Sequence, residues 1–242
     1  MMHTLHSALL GGLLLAAVPL RLHAQPLQDG LVAYPNVYKV QLENAYVRLI
    51  RVRLPGFAQL GEHTHPAGIM LHVYFNDADP VQFNHDGPPN DVTRPAVVAR
   101  SYRIGRTRPE THAVVNTGPG LSDYMRVELK TEGDEGFLRR IPTPPLVDST
   151  SARVEVDNAQ YRASRVTIAS RQSIELVAPG SQPFLLLALT PGIDLDEGGA
   201  PTRTLQTGDE RFVGVSQRVL VRNAGTSPVQ LLKVDLLTAP AK

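Results

Sequence analysis

The chain has 242 residues, no cysteine and a formal net charge of +1 at pH 7. The lack of cysteine excludes disulfides and thiolate metal ligands, so any metal site must use imidazole, carboxylate or amide groups. No basic stripe or arginine-rich run is visible, which argues against a nucleic-acid partner. The length is sufficient to bury a substantial hydrophobic core.

Residues 1–24 are typical of a signal peptide. The apolar run at residues 8–20 is too short to span a bilayer, and a small residue, Ala24, offers a cleavage point. No Lys or Arg precedes the apolar run and Leu22 is bulky for its position, so a buried N-terminal helix is the alternative. We predict export to a periplasm or the outside. The mature chain would have no membrane span and, without Arg21, a net charge near zero.

Short strands separated by turn residues follow the leader. Residues 37–42 and 47–54 alternate apolar and polar side chains, and Pro55-Gly56 ends the second segment. Residues 69–75 form a dense apolar run of strand length. Because no later segment shows helical periodicity over three turns, the pattern predicts an all-β sandwich or barrel.

The histidines are concentrated in the first half of the chain. The sequence contains eight histidines, and none lies beyond residue 112. On a strand His63 and His65 would project from the same face, and His112 from a neighbouring strand would place three imidazoles around one point. Three protein ligands with an open position are typical of a reactive metal site. The alternative is a metal-free histidine cluster, which would be costly to bury.

Two parts of the chain repeat each other weakly, which indicates two tandem copies of one domain. Residues 44–52 match 158–166 at Asn, Ala, both Arg and Val, and 114–118 resemble 221–225. We predict a first domain at 25–136, a Pro-rich linker at 137–151 and a second domain at 152–242.

The histidine motifs resemble those of the cupins. The residues that carry the resemblance are Pro55-Gly56, His63-x-His65, Gly105, Pro109 and His112-x-x-x-Asn116. The resemblance covers most of residues 37–132, with a ligand-free echo over 152–238. It implies two tandem cupin-like (jelly-roll) β-barrels, of which the first presents its ligands to a metal ion inside the barrel.

The sequence departs from many cupins at one position, because Ile69 or Met70 stands where those proteins have a glutamate ligand. If Met70 faces the barrel interior, strand alternation also turns His72 and Tyr74 inward. We therefore assign His72 and Tyr74 as candidate catalytic acid–base residues. His72 is also a candidate fourth metal ligand, and a structural histidine bonded to the backbone is the alternative.

Other polar residues of the first copy receive structural assignments. We expect His85 at the surface, Asn116 at a strand end or bracing a loop, and Arg126 as a solvated surface arginine rather than an anion ligand. The positions of the second copy that align with the three metal-ligand candidates are Val177, Pro179 and Val219. The second barrel is therefore not expected to hold the same ion.

The predicted cofactor is one divalent transition metal ion, with Fe, Mn, Ni, Cu and Zn all compatible with three imidazoles. The first functional hypothesis is a mononuclear metalloenzyme that acts on a small organic molecule, and oxidoreductase or dioxygenase chemistry is favoured among those of the cupins. The second is a non-catalytic small-molecule or metal-binding protein, and the third is a metal-free structural domain. Jelly-roll barrels of this kind often pair through edge strands, so a homodimer is one possible partner, and the sequence does not fix the oligomeric state.

Overall fold

The structure is a computed structural model that describes residues 27–86, 91–107, 109–131, 139–178, 180, 182–198 and 201–238. The predicted signal peptide at 1–24 lies outside the described residues. In the part of the chain that is described, no helix has both the length and the apolar character needed to cross a membrane.

A short helix, α1 (Gly30–Ala33), precedes the strands of the first unit. These strands are β1 (Tyr38–Glu43), β2 (Val47–Leu54), β3 (Gln59–His65), β4 (Gly68–Tyr74), β5 (Val81–His85), β6 (Asp91–Arg94), β7 (Tyr102–Thr107), β8 (Glu110–Asn116), β9 (Ser122–Leu129) and β10 (Arg139–Ile141). The strands of the second unit are β11 (Ser151–Asp157), β12 (Tyr161–Ile168), β13 (Ser173–Val177), β14 (Phe184–Ala188), β15 (Ile193–Asp196), β16 (Arg203–Leu205), β17 (Glu210–Val213), β18 (Arg218–Asn223) and β19 (Val229–Leu236).

Each unit is built from one large and one small antiparallel sheet. The large sheet of the first unit has the order β1-β2-β9-β4-β7-β10, and that of the second has the order β11-β12-β19-β14-β17. The small sheets have the orders β3-β8-β5-β6 and β13-β18-β15-β16. Apart from β10, the connectivity is the same in both units, so the expectation of an all-β fold with two tandem jelly-roll barrels is confirmed.

Matched hydrogen bonds support the sequence repeat. The Asn116 amide donates to the carbonyl groups of Leu54, Pro55 and Gly120, and its oxygen accepts from the backbone N–H of Gly118. The equivalent amide in the second unit is that of Asn223. It makes the same four bonds, to Ile168, Ala169, Ser227 and Gly225. Asn116 therefore braces a loop at a strand end, as expected.

The two large sheets pack against each other through their outer faces. Leu71 and Val127 of the first unit share one buried cluster with Leu187 and Val234 of the second. Because side chains alternate along a strand, the residues between them point into each barrel instead. Part of the predicted linker is itself a strand: β10 pairs with β7 and extends the first large sheet. The predicted domain boundaries remain predictions.

The interiors of the two barrels differ in character. The second is filled with buried aliphatic and aromatic side chains such as Phe184, Leu186 and Val221. The corresponding apolar cluster of the first barrel is smaller and includes Leu54 and Val114. The remaining interior of the first barrel is occupied by histidine, arginine, glutamate and tyrosine side chains, which form the candidate site.

Candidate metal centre

Three imidazoles converge inside the first barrel. His63 and His65 lie on β3 and His112 on β8, and all three are buried. The ring centroids are 4.8 Å apart for His63 and His65, and 5.0 Å apart for each of the other two pairs. One potential ligand atom from each histidine lies within 4.8 Å of the other two. The structure therefore brings together the three residues that were predicted as metal ligands.

A β-bulge sets the position of this cluster. The pairing of β3 with β8 is regular at Leu60 and Val114, shifts within β3, and resumes with His63 directly opposite His112. A bulge inserts one extra residue into one strand and turns the following side chains. Because His65 follows His63 by two residues, it shares the same face.

The hydrogen bonds of His63 define its tautomer. Its Nδ1 lies 2.9 Å from the carbonyl oxygen of Gly61, which can only accept, so Nδ1 carries the proton. Its Nε2 consequently holds a lone pair, and the hydroxyl group of Tyr38 lies 3.2 Å away and donates to it. Burial raises the pKa of the Tyr38 hydroxyl well above its ordinary value, so this hydroxyl stays protonated. Sequence reasoning missed Tyr38, whose place beside His63 depends on tertiary packing.

His112 provides the test of whether a metal fits the site. Neither of its ring nitrogens has a hydrogen-bond partner among the described residues, although the side chain is buried. A buried polar atom without a partner costs about 1–3 kcal/mol. A cation among three imidazole nitrogens would remove that cost, because neutral imidazole is a good ligand for divalent transition metals. The residues present therefore fit a metal ion.

The three histidines are held neutral. Burial lowers the pKa of all three, and that of His65 falls to about 2 with a further contribution from the charge of Arg126. The pKa of His112 falls to about 3 through burial and through the neighbouring His63 and His85. A metal-binding imidazole must be unprotonated, so this environment favours ligation at neutral pH.

The N-terminal segment covers the cluster from one side. Asp29 caps α1 by accepting from the backbone N–H of Leu31, and the backbone N–H of Thr64 donates to the carbonyl of Gln28. At Gly30 a Cβ atom would lie 2.8 Å from Cε1 of His65 and 2.9 Å from Cδ2 of His63. Glycine is therefore required sterically, which no local pattern in the sequence indicates.

A carboxylate lies at the opposite side of the cluster. Glu110 shares a face of β8 with His112, and its oxygens lie 3.7 Å from Nδ1 of His112 and 3.5 Å from Nε2 of His85. The side chain of His85 is half-buried and points to this group, so the expectation of a surface position is wrong. Glu110, His85 and His112 form a second set of possible ligands. The i, i+2 spacing of Glu110 and His112 could have revealed the pair.

His72 and Tyr74 face the interior of the first barrel but are not part of the histidine cluster. Among the described residues, no set of close metal-ligand atoms includes His72, which lines a cavity of about 270 Å³ together with Glu110. Burial lowers the pKa of His72 well below its ordinary value. The Tyr74 ring packs 5.5 Å from that of Tyr124 and lies under the guanidinium group of Arg94. Their catalytic roles remain predictions.

Arg126 is buried, which contradicts the expectation of a solvated surface arginine. It is 4% exposed, lies opposite His72 on the neighbouring strand, and has its Nε 2.9 Å from an oxygen of Glu128. The other oxygen of Glu128 accepts a hydrogen bond of 2.5 Å from Arg48. One carboxylate therefore balances two guanidinium groups, so a net positive charge remains in this part of the barrel wall.

The register of the second barrel corrects one part of the sequence alignment. Val219 occupies the position of His112 and lies opposite Leu176, so the residues equivalent to His63 and His65 are Leu176 and Ala178. The sequence alignment placed Val177 and Pro179 there, one residue too far, because β13 lacks the bulge of β3. Pro179 lies outside the described residues. Val177 is exposed, whereas Leu176, Ala178 and Val219 are buried and apolar.

Comparison with known proteins gives the fold. No protein-family model matches the sequence, and none of the curated proteins compared with it matches significantly. Bacterial pirin YhhW from Escherichia coli in complex with nickel(II) has a TM-score of 0.59 and 12% identity, over 84% of this chain and 91% of that one. Oxalate decarboxylase from Lactobacillus farciminis in a formate complex has a TM-score of 0.51 and 10% identity, over 85% and 86%.

A cupin 2 conserved barrel domain protein from Leptotrichia buccalis is similar over 83% of this chain and 88% of its own, with a TM-score of 0.50 and 13% identity. At these identities the likeness concerns the fold alone. Its agreement with the repeated two-sheet topology leads to one conclusion: the chain has the fold of the cupin superfamily, as two tandem barrels.

Proposed function

We propose that the first barrel holds one divalent transition metal ion on His63, His65 and His112, and that the protein is a mononuclear metalloenzyme acting on a small organic molecule. The observation that carries the proposal is the convergence of three buried, neutral imidazoles, of which His112 has no hydrogen-bond partner among the described residues. The second barrel has apolar residues at the same positions and would act as a structural partner.

When bound, the metal would supply Lewis acidity or dioxygen activation, and oxidoreductase chemistry is our preferred class. A metal on Nε2 of His63 would take the lone pair to which Tyr38 donates, and the protonated hydroxyl of Tyr38 would then be free to donate to an oxygen atom of a ligand there. Neutral His72, in the wall of the adjoining cavity, can accept a hydrogen bond from a bound molecule. Gly30 of α1 is buried against His63 and His65 and so shields one side of the histidine cluster from water.

Two of the structurally similar proteins support the proposal that a barrel of this fold holds a metal ion or a small organic ligand. The pirin is described with nickel(II), and the oxalate decarboxylase with formate. A metal ion and a small organic ligand in the first barrel would agree with both. The metal identity is an outcome of the test rather than a part of the proposal.

Elemental analysis of protein purified without added metal tests the metal site. We expect about one transition metal ion per chain in the wild type and almost none in His112→Ala, with unchanged secondary structure by circular dichroism. Oxygen-uptake and turnover screens with small organic molecules then separate the enzyme from a binding protein. A stoichiometric ion that exchanges slowly, with no turnover, would favour the non-catalytic alternative. Wild-type protein that takes up no metal would refute the proposal.

We also propose that residues 1–24 direct export to a periplasm or the outside and are then removed. N-terminal sequencing of the protein recovered from an exporting host tests this point. A mature chain that begins at Gln25 supports it, and an intact leader on folded, soluble protein contradicts it.

A further inference from the structure

Three arginines from the two sheets of the first barrel line the same cavities, at some remove from the histidine cluster: Arg94 on β6, Arg103 on β7 and Arg140 on β10. Arg103 lies directly opposite His72 on one neighbouring strand and directly opposite Arg140 on the other. Burial lowers the pKa of Arg94, and the charges of Arg103 and Arg140 add to this effect. Like charges directly opposite each other in a sheet are destabilising. This arrangement therefore needs a compensating negative charge.

In the described part of the chain, no protein carboxylate forms an ion pair with these arginines, and Glu110, which lines the same inner cavity, lies against His85 and His112 instead. Arg94 is 5% exposed and donates to the carbonyl groups of Asp79 and Pro95, which are neutral acceptors. The buried Nε of Arg103 has no hydrogen-bond partner, and neither Arg103 nor Arg140 forms an ion pair among these residues. A buried guanidinium group that lacks a counter-ion is unfavourable, so an external anion would stabilise the site.

The same three arginines line two adjoining cavities. The inner cavity, about 270 Å³, also contacts His72, His85 and Glu110, and so reaches the neighbours of His112. The outer cavity is about 400 Å³. Its remaining lining is mainly apolar and includes Pro95, Ala96, Val97, Val98, Ile141 and Pro142. A molecule that spans both would meet cations in the middle and hydrocarbon on the outer side.

We propose that Arg94, Arg103 and Arg140 bind the carboxylate of a small organic acid whose apolar part occupies the outer cavity. Guanidinium groups bind carboxylates through paired, charge-assisted hydrogen bonds, and the outer volume suits a small organic molecule. The inference rests on the proposed function only where it orients the ligand, with the carboxylate nearest the metal centre. In that orientation the substrate of the metalloenzyme would be a carboxylic acid with an apolar tail.

Binding of hexanoate, measured by isothermal titration calorimetry, tests the inference against its neutral analogue hexanamide. The variants are Arg103→Gln and Arg140→Gln, of which the second changes an exposed side chain and carries little risk to folding. The matched control is Arg218→Gln, which removes a largely exposed arginine of the second barrel. We expect each of the first two variants to weaken hexanoate binding by at least about tenfold, the effect of one charge-assisted hydrogen bond, and Arg218→Gln to leave it unchanged.

Hexanoate binding that is equal in the wild type and both variants would overturn the inference, and so would hexanamide binding as tight as that of hexanoate. The titrations are run on wild-type protein and on His112→Ala. Hexanoate binding that depends on Arg103 but persists in wild-type protein that takes up no metal would support the anion site and refute the metal site. One bound metal per chain without hexanoate binding would support the metal site and refute the anion site.

Discussion

His63 and His112 face each other directly across β3 and β8, with ring centroids 5.0 Å apart and ring planes at 87°. This opposition is the geometric basis of the candidate metal centre. It depends on the bulge between Leu60 and His63, because a shift of one residue along a strand would turn its side chains to the other face. The third ring, that of His65, then reaches the same point from the next inward position.

The first prediction separates two sets of possible ligands that share His112. One set adds His63 and His65, and the other adds His85 and Glu110. We expect His63→Ala to weaken metal binding more than the 10–100-fold that is typical of changes to groups that only orient a ligand. His85→Ala should change the affinity by less than about tenfold, because its half-exposed side chain can be replaced by water. Competition with a chromogenic chelator measures both affinities.

Elemental analysis of the two variants serves as the control for that measurement. Loss of metal from His85→Ala with retention in His63→Ala would place the ion in the group around Glu110. The predicted ligand set would then be wrong in two of its three members, although His112 would remain common to both.

The second prediction concerns the contact between α1 and the imidazoles. In Gly30→Ala the added methyl group would lie 2.8 Å from His65 and 2.9 Å from His63, so the rings or the helix must move. We expect a 10–100-fold loss of metal affinity with little change in the thermal unfolding of the barrels. Gly68→Ala is the matched control, since its nearest neighbour in the structure is a methionine methyl group 4.0 Å away.

An unchanged metal affinity in Gly30→Ala would show that the N-terminal segment is displaced without consequence for the site. Equal losses in Gly30→Ala and Gly68→Ala would indicate a general effect of substitution. Either result would mean that α1 does not position the metal-binding imidazoles.

Much of this fold could be predicted from the sequence because its signals are local. Strand alternation indicated that Leu71 and Val73 point away from His72, and the structure places both in the core between the sheets. The Asn repeat was visible because each asparagine bonds to carbonyl groups of a turn that recurs at the same distance along the chain. The pair His63 and His65 was recognisable because side chains two residues apart project from the same face of a strand.

The remainder of the site depends on contacts that no local pattern encodes. The bulge before His63 shifted the alignment of the second copy by one residue, because an extra residue in one strand leaves no unambiguous mark in composition. Arg126 was expected at the surface, yet Glu128 on the same strand allows its burial. The steric role of Gly30 follows from the packing of α1 on β3.

The third prediction is the pH dependence of stability in the metal-free protein. The ordinary pKa of histidine is 6.5, while those of folded His65 and His112 are lowered to about 2 and about 3. Between these values the unfolded chain binds protons that the folded chain does not. Stability therefore falls as the pH falls from about 6.5 towards 3, by up to about 1.4 kcal/mol per pH unit for each such histidine.

Urea unfolding of chelator-treated protein at several pH values measures this slope. His112→Asn removes one of the titrating groups and should make the slope shallower over the same interval. A slope that is identical in the wild type and in His112→Asn would mean that His112 is protonated in the folded state, against the burial seen here. With metal bound, proton competition in the folded protein should release the ion only near the lowered pKa values of His65 and His112, at about pH 3 and below.

The fourth prediction uses the two equivalent asparagines. Asn116 and Asn223 are both buried, and each makes four hydrogen bonds to the backbone of its own barrel. Replacement by alanine leaves buried carbonyl groups without their donor, so each variant should lose about 2–4 kcal/mol of unfolding free energy. Only Asn116→Ala should also lower metal affinity, because Asn116 ends the strand that carries His112. Chemical denaturation and chelator competition on the same two proteins separate the effects.

Equal metal affinity in Asn116→Ala and Asn223→Ala would indicate that the turn after β8 does not position His112. A loss of metal affinity in Asn223→Ala would instead show that the apolar second barrel contributes to the ion site through the core between the sheets.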